Sequence, residues 1–311
     1  MFARIDVATG FLRRLRGALD GGADLPEALT RSAAGLPRGA RERAAAAARR
    51  LEGDYAEDDW GLDEEFLRAI EPLFDFLYDT WWRVKATGVQ NVPARGGALL
   101  AANHAGILPW DATMMSRAIR RQHQQPRDPR FLVLDWAFEL PYVSVVMRKV
   151  GGVVASPHNA LRLLREDRLV AVFPEGVKGT GKPFGRRYRL ERFGRGGFVE
   201  VALRAGAPIV PVAVVGSEEI YPKLGEAPLL ARLTGAPYFP LTPTFPWLGP
   251  LGAVPLPSKW RIEFCEPIET ASYGPAAAAD RALVLELSER VRDTIQRKLY
   301  ENLVARGTTF L

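Results

Sequence analysis

A single cysteine, Cys265, stands in a chain of 311 residues. It excludes an intrachain disulfide framework and provides no metal-binding spacing. Histidine is nearly as scarce, at positions 104, 123 and 158 only, so no histidine-rich metal centre is advertised. No serine occupies a G-x-S-x-G turn, and Cys265 lies in the strand-like "IEFCEPI". A nucleophile-elbow hydrolase is therefore excluded, and any acyl chemistry would proceed by direct attack of an acceptor hydroxyl, without an acyl-enzyme. The first twenty residues scatter arginines without a long apolar core or a cleavage signature, so no secretory signal is expected.

Hydrophobic residues at 47% and charged residues at 25% are ordinary for a folded protein. The charge is unevenly placed. Residues 1–50 hold ten arginines and five acids, residues 51–79 eleven acids and one base, and residues 176–195 seven bases and one acid. A concentrated basic loop attracts phosphate on a nucleotide, a nucleic acid or a lipid headgroup; the alternative is a solvated surface. From Leu233 to Ser258, 26 residues carry no charge. Seven prolines at 237, 240, 243, 246, 250, 255 and 257 forbid the helix that such a length would otherwise suggest. The stretch either packs into a core or meets an acyl chain or membrane interface.

Residues 1–60 read as an accessory segment of one or two helices, and residues 61–311 as the main domain. Phe66, Ile70, Leu73, Phe74, Leu77 and Trp81 repeat at helical spacing within 63–84. Beyond residue 86, apolar runs at 98–102, 131–134, 169–173, 209–215 and 260–264 alternate with helical patterns at 110–120, 160–165, 197–205 and 277–303. That alternation predicts an α/β fold, a layered sheet with flanking helices, preceded by a helical N-terminal segment. Runs without polar alternation predict strands buried on both faces.

In "NHAGILPWD" His104 directly follows an apolar strand, where sites collect in α/β folds. A neutral histidine there can take a proton from a hydroxyl if an acceptor holds its other nitrogen. Asp111 is seven residues on. In one continuous helix it would lie about 10.5 Å away along the axis, too far for contact. Pro109 instead suits a helix start, with 105–108 as a loop, which lets Asp111 reach back. An acid in a first helical turn also serves simply to stabilise that helix, so both roles stay open. His123 and His158 lie in polar or turn contexts.

A second site follows the strand that ends in "FPEG", with Glu175, a glycine turn at Gly176, and then the basic loop. "GVKGTGK" fits the phosphate-loop pattern G-x-x-x-x-G-K, but Pro183 stands where a magnesium-holding hydroxyl belongs. A nucleoside triphosphatase is thereby disfavoured.

Four ordered blocks, "LLAANHAGILPWD", "KVGGVVASPHNALRLLR", "VAVFPEGVKGTGKPF" and "RAGAPIVPVAVVGSEEIYP", resemble the glycerolipid and lysophospholipid acyltransferases, within their monoacylglycerol acyltransferase-like branch. The likeness extends from about residue 63 to 297. It implies a glycerol-3-phosphate acyltransferase-like fold and transfer of an acyl group from acyl-CoA or acyl carrier protein, as co-substrate without other cofactor or metal, to a lipid hydroxyl. His104 would be the base and Asp111 its orienter. Glu175 would bind the acceptor or order the site. Asn103, Gly106, Gly176, Lys178, Lys182, Arg186 and Arg187 would contact substrate, with amides near Gly106 or the FPEG turn meeting the oxyanion. The resemblance also implies a peripheral position on the cytoplasmic face of a membrane and no nucleic acid partner. That contact would run through residues 233–258, aromatic residues near 81 and basic side chains. A non-catalytic lipid-binding relative is the alternative. Three features depart from the family pattern: six residues rather than four separate His104 from Asp111, Ser156-Pro157-His158 replaces a phosphate-binding arginine, and Val177-Lys178-Gly179 follows FPEG.

Overall fold

A computed structural model describes residues 2–53, 57–105, 108–139, 143–234 and 238–310. The chain divides into two compact units, Met1–Glu71 and Pro72–Leu311. The first holds helices α1 (Phe2–Asp20), α2 (Leu25–Ser32) and α3 (Arg38–Leu51), one more than the sequence suggests. Asp24 caps α2 by accepting from the Glu27 N–H at 2.9 Å. Asp63 is buried and accepts both the Phe66 N–H at 2.8 Å and Arg50 Nη2 at 2.9 and 3.0 Å, so one carboxylate starts helix α4 (Glu64–Phe76) and holds α3. Pro72 sits inside α4. The helix predicted over 63–84 ends early, in a π-helical turn at Leu77–Trp81 in which the Trp82 N–H reaches back to Leu77 O at 2.9 Å.

The second unit is built on a seven-stranded sheet. Its elements in chain order are β1 (Lys85–Thr87), β2 (Ala98–Ala102), α5 (Trp110–Gln122), β3 (Arg130–Val133), α6 (Trp136–Glu139), α7 (Val143–Lys149), β4 (Gly152–Val154), α8 (Pro157–Arg165), β5 (Leu169–Val172), α9 (Val177–Thr180), α10 (Gly197–Ala205) and β6 (Ile209–Val215). A two-stranded hairpin of β7 (Gly225–Glu226) and β8 (Pro240–Leu241) flanks α11 (Pro228–Thr234), before β9 (Arg261–Phe264) and the long α12 (Arg281–Arg306). Strand order is β1-β9-β6-β2-β5-β3-β4. Strands β6, β2, β5, β3 and β4 are mutually parallel; β9 pairs antiparallel with β6 and parallel with β1. The predicted α/β layering is thus the observed one.

Every residue of β2, β5 and β6 is buried, as unbroken apolar runs require when helices cover both faces. Strand β9 alternates half-buried and buried residues instead. Of the aromatic residues near 81, Trp82 belongs to this core and Trp81 packs against it, half-buried. Trp82 and Trp260 are fully buried and stack with centroids 4.7 Å apart, and Trp81 donates to Pro255 O at 3.0 Å. Helix α12 begins at Arg281 rather than near 277, because Asp280 accepts the Ala282 and Leu283 N–H groups at 2.9 and 3.2 Å. Adjacent central strands β6, β2 and β5 therefore release their chains at one edge of the sheet, where parallel α/β folds bind ligands.

Candidate active site

His104 leaves the end of β2 two residues after Ala102. Asp111 lies in the first turn of α5, after Pro109. The helix start predicted at Pro109 brings the two side chains together, with His104 Nδ1 and Asp111 Oδ2 at 2.7 Å. The aspartate is fully buried and also accepts the Ala105 N–H at 3.0 Å through Oδ2 and the Ala112 N–H at 2.8 Å through Oδ1. An ionised carboxylate only accepts, so it fixes the proton on Nδ1 and leaves Nε2 with its lone pair for a substrate. The ring stacks on Phe173, centroids 4.1 Å apart and tilted by 23°, and is partly open to solvent.

Beneath this pair lies a buried ionic cluster. Glu175 ends its FPEG turn with Oε1 3.5 Å from the His104 N–H, while Oε2 accepts Lys182 Nζ at 3.1 Å and the Glu191 N–H at 2.7 Å. Lys182 Nζ also reaches Arg189 O at 3.2 Å and Glu218 Oε1 at 3.3 Å. One ammonium between two carboxylates leaves the cluster short of positive charge. Burial pushes the Glu218 carboxyl up to about 7, Lys182 pulling it down and Glu175 adding repulsion. Gly176 makes the tight turn at φ +56° and ψ −146°, a conformation open essentially to glycine.

Several predicted contacts are organised differently. Lys182 was expected to meet phosphate, but its buried ammonium is already shared by Glu175 and Glu218. The same pairing removes the phosphate-loop reading of "GVKGTGK". Asn103 is not free for substrate either; its amide donates to Val214 O at 2.9 Å and accepts the Val214 N–H at 2.8 Å, clamping the end of β2 to β6. The Gly176 N–H is engaged by Phe173 O at 2.9 Å, and Gly106 lies outside the described residues. Lys178, Arg186 and Arg187 are exposed, Arg186 pairing with Glu191 at 2.7 Å and Arg187 lying over the Phe184 ring at 4.3 Å. Ser156 caps α8, accepting the Asn159 N–H at 3.1 Å, with His158 exposed. His123 is tied to Val92 O and Gln125 O at 2.8 and 2.7 Å.

Sequence reasoning did not single out Glu218 or Tyr221. Both line a cavity of about 380 Å³ that begins at Ala105 and Leu108, beside the dyad. Its walls are mainly apolar and include Phe184, Arg187, Tyr238 and Phe245. Tyr221 accepts from Trp110 Nε1 at 3.1 Å and donates to Ala253 O at 2.6 Å, joining α5 to the proline-rich stretch. The "GSEEIYP" that carries both residues sits at the end of β6, so strand-end position was the available signal. Among the described residues, no cluster of three or more histidine, cysteine or acidic side chains could hold a metal ion.

A buried aspartate orienting a histidine beside an apolar cavity suits proton removal from a lipid hydroxyl. The family model described as Acyltransferase matches residues 83–215, which include the dyad and Glu175. An uncharacterised protein of Mycobacterium tuberculosis is 53% identical over 262 residues, covering 84% of this chain and 73% of that one. The chain belongs to the glycerolipid acyltransferase superfamily.

More distant superfamily likenesses cover the same region. The human DGAT1/2-independent enzyme synthesizing storage lipids is 24% identical over 229 residues, covering 74% of this acyltransferase chain and 64% of the human one. The crystal structure of the 1-acyl-sn-glycerophosphate (LPA) acyltransferase PlsC from Thermotoga maritima shares the fold at a TM-score of 0.51 and 20% identity, covering 79% of this chain and 82% of that one.

Proposed function

We propose that this acyltransferase moves a fatty acyl group from an acyl thioester, acyl-CoA or acyl carrier protein, to a hydroxyl of a lysophospholipid or acylglycerol. The 2.7 Å contact between Asp111 and His104, next to an apolar cavity that Ala105 lines, carries the reading. His104 Nε2 takes the acceptor's hydroxyl proton as its oxygen bonds to the thioester carbonyl carbon. The resulting oxyanion collapses, the carbon–sulfur bond breaks, and the imidazolium returns the proton to the leaving thiolate. Asp111 holds the tautomer and stabilises the imidazolium that forms between those steps. No acyl-enzyme is needed.

Glu175 acts as an organiser in this scheme, since it is bound on both oxygens by protein groups. The cavity accepts an acyl chain, and exposed Lys178 and Arg187 face phosphate on donor or acceptor. Work on a lipid with a soluble thioester places the enzyme at the cytoplasmic face of a membrane. No described helix is long and apolar enough to cross one, which suits a peripheral position.

His104→Ala tests the assignment. Acyl transfer, followed as free thiol release and by mass spectrometry of lipid products, is expected to fall by about 10² to 10⁴ with the fold unchanged by circular dichroism. Undiminished transfer removes His104 as the base. A wild-type protein that binds lysolipid and acyl-CoA but releases no thiol is instead a lipid-binding relative.

A further inference from the structure

The proline-rich stretch does two things at once. Its inward side chains, Tyr238, Phe239, Thr242 and Phe245, wall the cavity beside the dyad. Its outward side chains are more than half exposed: Trp247 is 72% exposed, Leu248 55%, Leu251 71% and Val254 53%. They project from a loop that closes on itself, with the Thr242 N–H on Phe245 O at 2.8 Å, the Leu248 N–H on Thr244 O at 2.9 Å and Thr244 Oγ1 on Gly252 O at 3.3 Å. A Cβ added at Gly252 would lie 2.7 Å from Thr244 O, so the turn admits only glycine there without moving. The loop is thus held in shape while showing a tryptophan and two leucines to solvent.

The hairpin that carries the stretch has exposed leucines of its own. Leu224 is 69% and Leu229 70% exposed, and the Leu224 N–H pairs with Leu241 O at 2.9 Å along the hairpin that carries the stretch. No charge interrupts residues 233–258. Phe184 and Arg187 line the same cavity, from the loop 176–195 in which Lys178, Arg187, Arg189, Arg192 and Arg195 are exposed. An apolar tip with an interfacial tryptophan, bordered by excess positive charge, is complementary to one kind of partner, a bilayer with anionic headgroups. A folded protein would need matched shape and hydrogen bonding on a tip that shows only aliphatic and aromatic groups; lipid needs neither.

We infer that Trp247, Leu248, Leu251 and Val254 insert into an anionic membrane surface and seat the cavity mouth on it. One wall of the cavity is the back of the inserted loop, so an acyl chain or lipid acceptor enters from the bilayer without crossing water. This deepens the acyltransferase reading by naming the surface from which the site is fed, yet membrane binding is measured without catalysis.

The test is flotation of the full chain with phosphatidylcholine vesicles, with and without phosphatidylglycerol. The wild type floats with the anionic vesicles, and binding weakens as salt rises. The double variant Trp247→Asp, Leu251→Asp loses binding by roughly tenfold or more, because two charges replace two inserted apolar groups. It keeps its circular dichroism and its turnover of short-chain, water-soluble substrates. A double variant that floats like the wild type overturns the inference, as does a wild type that stays in the soluble fraction. A wild type that dimerises through this tip, becomes monomeric on substitution and ignores vesicles assigns the surface to a second copy instead. Because His104→Ala leaves the tip intact, it still floats. Absent acyl transfer with intact, tip-dependent flotation would refute the catalytic reading alone.

Discussion

At the scale of single residues, the decisive feature is that Asp111 serves three donors: His104 Nδ1, the Ala105 N–H and the Ala112 N–H. The carboxylate touches both the imidazole and the first turn of α5, so the orienting and bracing roles open in the sequence do not exclude each other. Asp111→Asn separates them. An asparagine oxygen in the place of Oδ1 still accepts the Ala112 N–H, but its amide in the place of Oδ2 offers a proton to Nδ1 where one must be received and leaves the Ala105 N–H without its acceptor. The neutral imidazole then carries its proton on Nε2, the wrong nitrogen for a base. We expect kcat to drop by about 10² to 10⁴, as other histidine bases lose rate when their aspartate becomes asparagine, with a thermal midpoint lowered only by the loss of the Ala105 bond. Unchanged kcat would reduce Asp111 to a brace. Histidine, aspartate and glutamate were legible one by one because each stands at a strand end or helix start. Lys182 was not: nothing in "GTGKPFG" shows that a lysine in a basic loop turns inward to two carboxylates, one of them 36 residues away.

Between elements, the site depends on how β2, β5 and β6 are held level at their ends. Asn103 fastens β2 to β6 through both polar atoms of its amide, and Val214 is its partner on both its N–H and its C=O. Asn103→Ala leaves those two backbone groups buried and unpaired. Stability should fall by about 1–3 kcal/mol, read as a lower urea midpoint, and kcat should fall with it because His104 is the next residue. An unaltered midpoint would mean that β2 needs no such fastening. The cluster joining the ends of β5 and β6 has its own signature in pH. Glu218 ordinarily titrates near 4.5 and does so at about 7 in the fold. Below about 4.5 it is protonated whether folded or unfolded. Between 4.5 and 7 the folded chain keeps a proton that the unfolded chain releases, so this group makes stability fall as pH rises, levelling off above 7. Glu218→Gln cannot titrate and should lose that slope; parallel wild-type and variant profiles of urea midpoint against pH would exclude the assignment. The long buried strands behind this geometry could be read from unbroken apolar runs. Strands β1, β4, β7 and β8 could not, since two or three residues show no periodicity, and the antiparallel entry of β9 is decided by pairing with β6, which the strand's own residues do not encode.

For the whole molecule, the question raised by the proposed function is how an acyl-CoA donor, a polyanion, would reach one edge of one sheet. The net charge of +6 is modest, but residues 176–195 concentrate the same excess in twenty residues next to the cavity, with Lys178, Arg187, Arg189, Arg192 and Arg195 exposed. A local field of this sign raises the encounter rate of a negatively charged partner and is screened by salt. The Debye length shrinks from about 30 Å at 0.01 M to about 3 Å at 1 M. The bland alternative, a solvated surface with no ligand, predicts no such dependence. With a short-chain acyl-CoA, which stays in solution and removes membrane binding from the measurement, kcat/KM should fall severalfold across that salt range while kcat holds, because steering acts on encounter and not on the bound complex. Arg187→Glu should flatten the dependence and lower kcat/KM at low salt. A wild-type kcat/KM indifferent to salt would return the basic run to the status of ordinary surface and leave the cavity's apolar walls, with the dyad, as the whole of substrate recognition.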